Sequence, residues 1–311
     1  MSEILLSIVL STWNNCDELE RTLTSISECT APPELRWEVV VVNNNSSDDT
    51  DSVTEAFRER LPLVAIREPR QGLSYGKNAG LAKARGEWVL FTDDDVRPDK
   101  NWLLSYLSAI HTHPDGTFFG GPVTSIFVGA TPESELLSIA TKAVRGFSLE
   151  YASPTVTEHN FLSANWAAPT ASVRAVGGFD VEMGLNPSRK FMRFGEESEL
   201  QVRLRKAGFR AIYLPDAKLG HIVPKSKSTP EYILARAEAS SMDASRHREL
   251  SPAFCLRLFV SMMLHFALWM KARLSGEKGY AREYHWRIRR GKLRQQWEAA
   301  RSRFGSVREK A

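Results

Sequence analysis

Cysteine is scarce in this chain. Cys16, Cys29 and Cys255 are the three in 311 residues, and they stand far apart with no CxxC pair. That spacing argues against a disulfide framework and a structural zinc site, and it makes a reducing cytosol the expected setting. No GxGxxG follows the first strand-like run and no GxxxxGK[ST] occurs anywhere, so dinucleotide-binding and P-loop readings lose their main support. The opening stretch MSEILLSIVLSTW carries Glu3 and lacks the basic region and small-residue cleavage site of a signal peptide, so it reads as a first buried strand. No internal repeat and no low-complexity tract appears. A long pure apolar run is missing too. The most apolar stretch, FCLRLFVSMMLHFALWM (254–270), has 17 residues and is interrupted by Arg257 and His265, which is short and impure for a membrane span.

What is present is an ordinary globular composition, 42% hydrophobic and 25% charged, in a chain long enough for one large α/β domain or two smaller ones. The net charge of +4 is unevenly placed. From Lys271 onward there are 13 Lys/Arg against 4 Asp/Glu, a net of +9, so residues 1–270 carry −5. An interfacial amphipathic helix followed by basic helices fits this ending, with an anionic membrane surface as the partner of residues 254–311. A core-packing helix with a solvated basic face is the alternative. No recognition motif accompanies the charge, so nucleic acid is not expected as a partner.

The order of elements alternates. ILLSIVLST (4–12), RWEVVVV (36–42), LVAIRE (63–68) and EWVLFTD (87–93) read as strands. Between them lie helical stretches at 16–29, 51–61 and 73–86, the last stopped by Gly86. Continuous apolar strands separated by helices predict a mostly parallel sheet covered on both faces. After about residue 125 the rhythm breaks, with a helix over TPESELLSIATKAV, a mixed region to residue 224, and helices to the end.

In such a sheet ligands bind beyond the carboxyl ends of the strands. Thr12, Asn43, Glu68 and Asp93–Asp95 therefore gather on one rim. The last of these is the unusual one, because WVLFTDDDV sets three repelling carboxylates directly behind a buried run. A solvated strand-to-loop corner is one explanation, and a cationic partner is the other.

The motifs SIVLSTWNN, EVVVVNNNSSDDT, RQGLSYGKNAGL, WVLFTDDDV, GGFD and FGEESELQVRLRKAGFRAIYLPDAKLGH decide between them. Standing in this order over residues 4–224, they resemble family 2 glycosyltransferases, which are inverting GT-A enzymes that use nucleotide sugars. The resemblance implies an α/β fold of GT-A type. Residues 1–125 would be the nucleotide-sugar half and 126–224 the half that carries acceptor and catalytic base. Residues 225–311 would be a helical, basic extension.

It also implies roles. Asp95 would ligate Mg2+ or Mn2+, with Asp93 or Asp94 toward the ribose or sugar, because a divalent cation with oxygen ligands stabilises the departing diphosphate. His221 would complete the metal shell or touch the diphosphate. Thr12 and Asn14 would meet the base. Asn43 stands where the family usually has Asp, so acceptance of the uracil N3–H would lack charge assistance and the base stays open. Asp48, Gly72, Lys77 and Asn78 complete the donor set, although Asp48 is equally a turn cap and Lys77 equally a solvated helix lysine. Glu197 takes the position of the general base that deprotonates the acceptor hydroxyl. Glu196, Glu197 and Glu199 are alternatively helix N-terminal acids favoured by the macrodipole, and Glu196, which would also face the acceptor, is the second candidate for the base. Asn165 and Trp166 would border the acceptor sugar, although a core tryptophan is as good a reading.

The resulting expectation is a cytoplasmic enzyme, peripheral on the inner face of a membrane. It would move a sugar from a nucleotide sugar, UDP-linked by preference, to a saccharide or lipid-linked acceptor. A catalytically inactive sugar-binding relative and a metal-dependent nucleotidyltransferase are the alternatives. The first is opposed by the intact acidic motifs, and the second by the missing glycines after the first strand.

Overall fold

The computed structural model of the chain describes residues 5–113, 115–187, 193–245 and 251–308. Hydrophobic, β-branched runs form the early strands, and the intervening amphipathic stretches form helices. In chain order these are β1 (Leu6–Thr12), α1 (Cys16–Ser27), β2 (Trp37–Asn43), α2 (Thr50–Ala56), β3 (Leu63–Arg67), α3 (Leu73–Lys83) and β4 (Trp88–Asp93). Next come β5 (Val96–Pro98), α4 (Trp102–Thr112), β6 (Thr117–Gly120), β7 (Val123–Phe127), α5 (Ser134–Ile139) and α6 (Lys142–Arg145). The chain continues through β8 (Thr155–Thr157), β9 (Trp166–Pro169), α7 (Thr170–Ala175), α8 (Glu196–Lys206), β10 (Arg210–Tyr213) and β11 (Leu219–Val223). It ends in α9 (Pro230–Ser245), α10 (Pro252–Leu274) and α11 (Tyr280–Arg308).

The main sheet has eight strands in the order β3-β2-β1-β4-β9-β6-β10-β8. The first four are parallel neighbours, as the alternating sequence predicts. β9 is antiparallel to both β4 and β6, while β6 and β10 are parallel. A second sheet of three strands runs β5-β11-β7.

Alternation along the central strands separates two cores. Ile8, Leu10, Val39, Val41 and Leu90 face Leu19 and Leu23 of α1 and Trp102 and Tyr106 of α4. Val9, Val40, Val42, Val89 and Phe91 face Leu81 of α3 and Leu200 and Leu204 of α8. Burial on both faces is what lets a parallel sheet exist, and it explains the near-continuous apolar runs of these strands.

The chain divides into two units, Met1–Ile126 with Gly146–Ile222, and Phe127–Arg145 with Val223–Ala311. The segment 127–145 therefore joins the helical extension rather than the catalytic half expected from sequence order. Its apolar residues explain this, since Leu136, Ala140 and Val144 pack with Val223 and Ile233.

Helix α3 lies against β1 through two glycines. A methyl group at Gly76 would meet Ser11 Oγ at 2.1 Å, and one at Gly80 would meet Val9 Cγ1 at 2.4 Å. Close approach here is needed to seat the start of α3 at the rim. Gly80→Val is therefore expected to lower stability by about 1–3 kcal/mol through overpacking, read as a fall in the denaturant midpoint with an unchanged slope.

Candidate active site

The rim is assembled by backbone ties before any chemistry. Asn14 sits at φ 48°, its N–H donates to Ser46 Oγ at 3.0 Å, and its Oδ1 accepts from Ser47 N at 2.8 Å. Asn43 is buried, with Oδ1 accepting from Ser46 N at 2.8 Å and Nδ2 donating to Asp51 Oδ1 at 2.6 Å. Asp48 accepts from Cys16 N at 2.9 Å and from the Thr50 hydroxyl at 2.5 Å, fixing the starts of α1 and α2. These three residues were expected to meet the donor. Their side chains hold the loops after β1 and β2 together, and the Asn43 oxygen accepts one backbone N–H.

Gly72 and Asn78 make structural ties of the same kind. Gly72 adopts φ 140°, open only to glycine, and its N–H donates to Asn44 Oδ1 at 2.9 Å. Asn44 also donates to the carbonyls of Glu68 and Arg70 at 3.1 and 2.7 Å, so this buried amide sets the whole β3–α3 loop. Nothing distinguished it within the NNN triplet. Asn78 pairs with both the N–H and the C=O of Phe179, each at 2.8 Å, and so ties the GGFD segment to α3.

The three aspartates point three ways. Asp93 Oδ1 lies 3.3 Å from Lys77 Nζ. Asp94 lies near buried Thr12 and half-buried Asn15; burial, followed by the charge of Asp95, pushes its carboxyl well above the usual aspartate range, and the polar side chains of Thr12 and Asn15 oppose that. Asp95 Oδ1 stands 3.4 Å from Nε2 of His221, whose strand is tied beside it by Ile222 N donating to Asp95 O at 2.8 Å. Among the described residues no group of three or more His, Cys, Asp and Glu side chains converges. The Asp95–His221 pair, one carboxylate oxygen and one imidazole nitrogen at half-buried positions, is a donor set that suits Mn2+ or Mg2+ with the remaining ligands supplied from outside the chain.

Lys77 is the surprise. Its side chain is 0% exposed, so it is no solvated helix lysine. It donates to Ser163 Oγ, stands 3.8 Å from Glu196 Oε1, and lies 5.6 Å from the centroid of the Phe179 ring. Burial alone would favour the neutral amine. Asp93 first, then Glu196 and Glu197, outweigh that cost and hold the ammonium above the ordinary lysine value.

Helix α8 begins at this ammonium. Gly195 takes the left-handed conformation at φ 83° and turns the chain into the helix. Glu196 is buried and accepts from Ser163 Oγ at 3.3 Å, so it is a partner of Lys77 and not an acceptor-facing group. Glu197 beside it is only half-buried. Burial, then the charge of Glu196, raises its carboxyl above the ordinary glutamate range, with Lys77 opposing.

Asn165 and Trp166 do not border a sugar. β9 is an interior strand, and both side chains are fully buried. Asn165 accepts from Trp102 Nε1 and the Tyr106 hydroxyl, both at 2.8 Å, and donates to the carbonyls of Pro122 and Ala217 at 2.9 and 2.8 Å. Trp166 stacks on Phe91 with centroids 4.9 Å apart.

The sequence model of glycosyl transferase family 2 matches residues 7–167, which span the rim from β1 through the three aspartates to β9. The chain belongs to glycosyl transferase family 2. It is 27% identical over 216 residues to the pre-mycofactocin glycosyltransferase of Mycobacterium tuberculosis, a match covering 69% of this chain and 42% of that protein. The chain thus spans less than half the length of this curated relative. Among solved structures it is similar to the mannosyltransferase PcManGT from Pyrobaculum calidifontis in complex with GDP-Man and Mn2+. That likeness has a TM-score of 0.60 and 18% identity, and it covers 96% of this chain and 88% of that one. It is similar also to Staphylococcus aureus TarS 1–349 in complex with UDP-GlcNAc, with a TM-score of 0.53, 19% identity, and coverage of 80% and 68%. These likenesses show the fold to be GT-A.

Lys77→Met leaves Asp93 and Glu196 facing one another without their buried cation. The expected cost is about 3–5 kcal/mol of stability in denaturant unfolding. Lys77→Met combined with Glu196→Gln should recover part of it, because one of the two stranded charges is then gone.

Proposed function

We propose that the chain is an inverting glycosyltransferase. It moves a sugar from a nucleotide-diphosphate sugar, UDP-linked by preference, to a hydroxyl of a saccharide or lipid-linked acceptor. The observation that carries the reading is the placement of a half-buried carboxylate, Glu197, beside the carboxylate cluster of the rim, with Lys77 between Asp93 and Glu196. One group is thereby kept for proton removal while its neighbours are neutralised.

In this reading Asp95 and His221 hold a divalent cation, which when bound supplies positive charge to the departing diphosphate. Asp93 and Asp94 line the donor side next to Thr12. Glu197 accepts the proton of the attacking hydroxyl through its carboxylate, as the oxygen approaches the anomeric carbon from the side opposite the leaving group. A raised carboxyl pKa suits this task, because a stronger base takes the proton more readily as the hydroxyl becomes acidic. The single displacement inverts the anomeric centre. A place on the cytoplasmic face of a membrane, where a lipid-linked acceptor would be met, fits the apolar and basic residues of 254–311.

Three outcomes follow. Glu197→Gln keeps the shape but cannot take the proton, so kcat should fall at least ~100-fold with donor binding little changed; the same loss in Glu196→Gln alone would place the base one residue earlier. Because the Glu197 carboxyl is raised, kcat of the unaltered protein should rise with pH across a limb above the ordinary glutamate range. An acid limb in or below that range would contradict the assignment. Asp95→Ala should abolish turnover in a folded protein, and chelator should do so reversibly in the unaltered one.

A further inference from the structure

Helix α10 is 23 residues long, six more than the apolar run visible in the sequence, and an 18-residue stretch within it has a mean hydropathy of 1.7, so by length and composition alone it could cross a membrane. Yet it does not serve as a core helix, since Ala272 is its one buried residue among those described. Leu256, Phe259, Val260, Met263 and Leu264 are all exposed, with Val260 at 60% and Leu264 at 58%. Exposed apolar side chains gathered on one helix face mark a docking surface. What covers it can be read from the other side of the helix.

That other side is occupied by α11, which runs back along α10. Arg289 Nε donates to Ser261 Oγ at 2.8 Å, the His265 and His285 rings lie 5.0 Å apart, and Trp286 packs on Phe266 and Trp269 at 5.6 and 5.9 Å. Ser261 is close to the middle of α10. Were α10 to span a bilayer, Arg289 would be carried near the midplane, with Arg287 and Arg290, which flank Trp286, beside it. Charges there are strongly disfavoured. The partner helix thus forbids the crossing that the composition of α10 alone permits.

From these contacts we propose that α10 is an in-plane anchor. Its outward apolar face lies in the headgroup–acyl boundary of an anionic bilayer, and α11 stays on the aqueous side. Charge supports this occupant over a second copy of the chain. Arg257, Lys271 and Arg273 are exposed on α10 itself, and they would meet anionic headgroups favourably. A second copy laid on the same face would set cations against cations. The inference concerns the helical unit alone and stands or falls apart from the sugar-transfer reading.

The test is sedimentation of the full chain with vesicles of phosphatidylcholine alone and of phosphatidylcholine mixed in equal parts with phosphatidylglycerol. Binding should be stronger to the anionic vesicles. It should weaken with salt, as the Debye length falls from about 10 Å at 0.1 M to about 3 Å at 1 M. Val260→Asp with Leu264→Asp should reduce it at least about tenfold while leaving the melting temperature unchanged, because both side chains are exposed. Alkaline carbonate should release the bound protein. Failure to bind either vesicle, or binding indifferent to the double substitution, would overturn the proposal. So would release by detergent only, which would mean a span. A dimer in vesicle-free solution that the double substitution dissociates would assign the face to a second copy instead.

Discussion

The contact on which the rest depends is the buried ammonium of Lys77. It reaches Asp93 at the end of β4 and Glu196 at the start of α8, two elements separated by about a hundred residues of chain. Carboxylates brought together without it would repel one another and pay the full cost of leaving water. The close packing of α3 on β1 through Gly76 and Gly80 puts the lysine there, and Ser163 bridges it to Glu196. Fold and chemistry share this one ion cluster.

It also resolves the three consecutive aspartates. They do not face one ligand as a block. Asp93 is compensated from inside the protein by Lys77, Asp94 lies near Thr12 and Asn15, and Asp95 is left beside His221. Of the three, Asp95 is the one whose neighbour, the His221 imidazole, is of a metal-ligating type.

The four parallel strands and their helices were legible because burial on both faces leaves an unbroken apolar run, as in VVVV of β2. The antiparallel insertion of β9 was not, since WAAP carries no periodicity that distinguishes direction. In the site, position was legible but duty was not. Asn14, Asn43, Asp48 and Asn78 each spend an amide or carboxylate on a neighbouring backbone or side chain, which the motifs alone do not announce. Asn165 and Trp166 lie near the site in sequence motif but inside the core in space. The burial of Lys77 had no local signal, because a lysine in a glycine-rich helix looks solvated until the opposing carboxylates are placed around it.

The most direct test of the account is the configuration of the product. With whichever nucleotide sugar supports turnover, proton NMR of the first-formed glycoside reads the anomeric centre against that of the donor. A base at Glu197, opposite the leaving group, predicts inversion. Retention would contradict it, since retention needs a second displacement or a front-side path in place of one displacement assisted by a base.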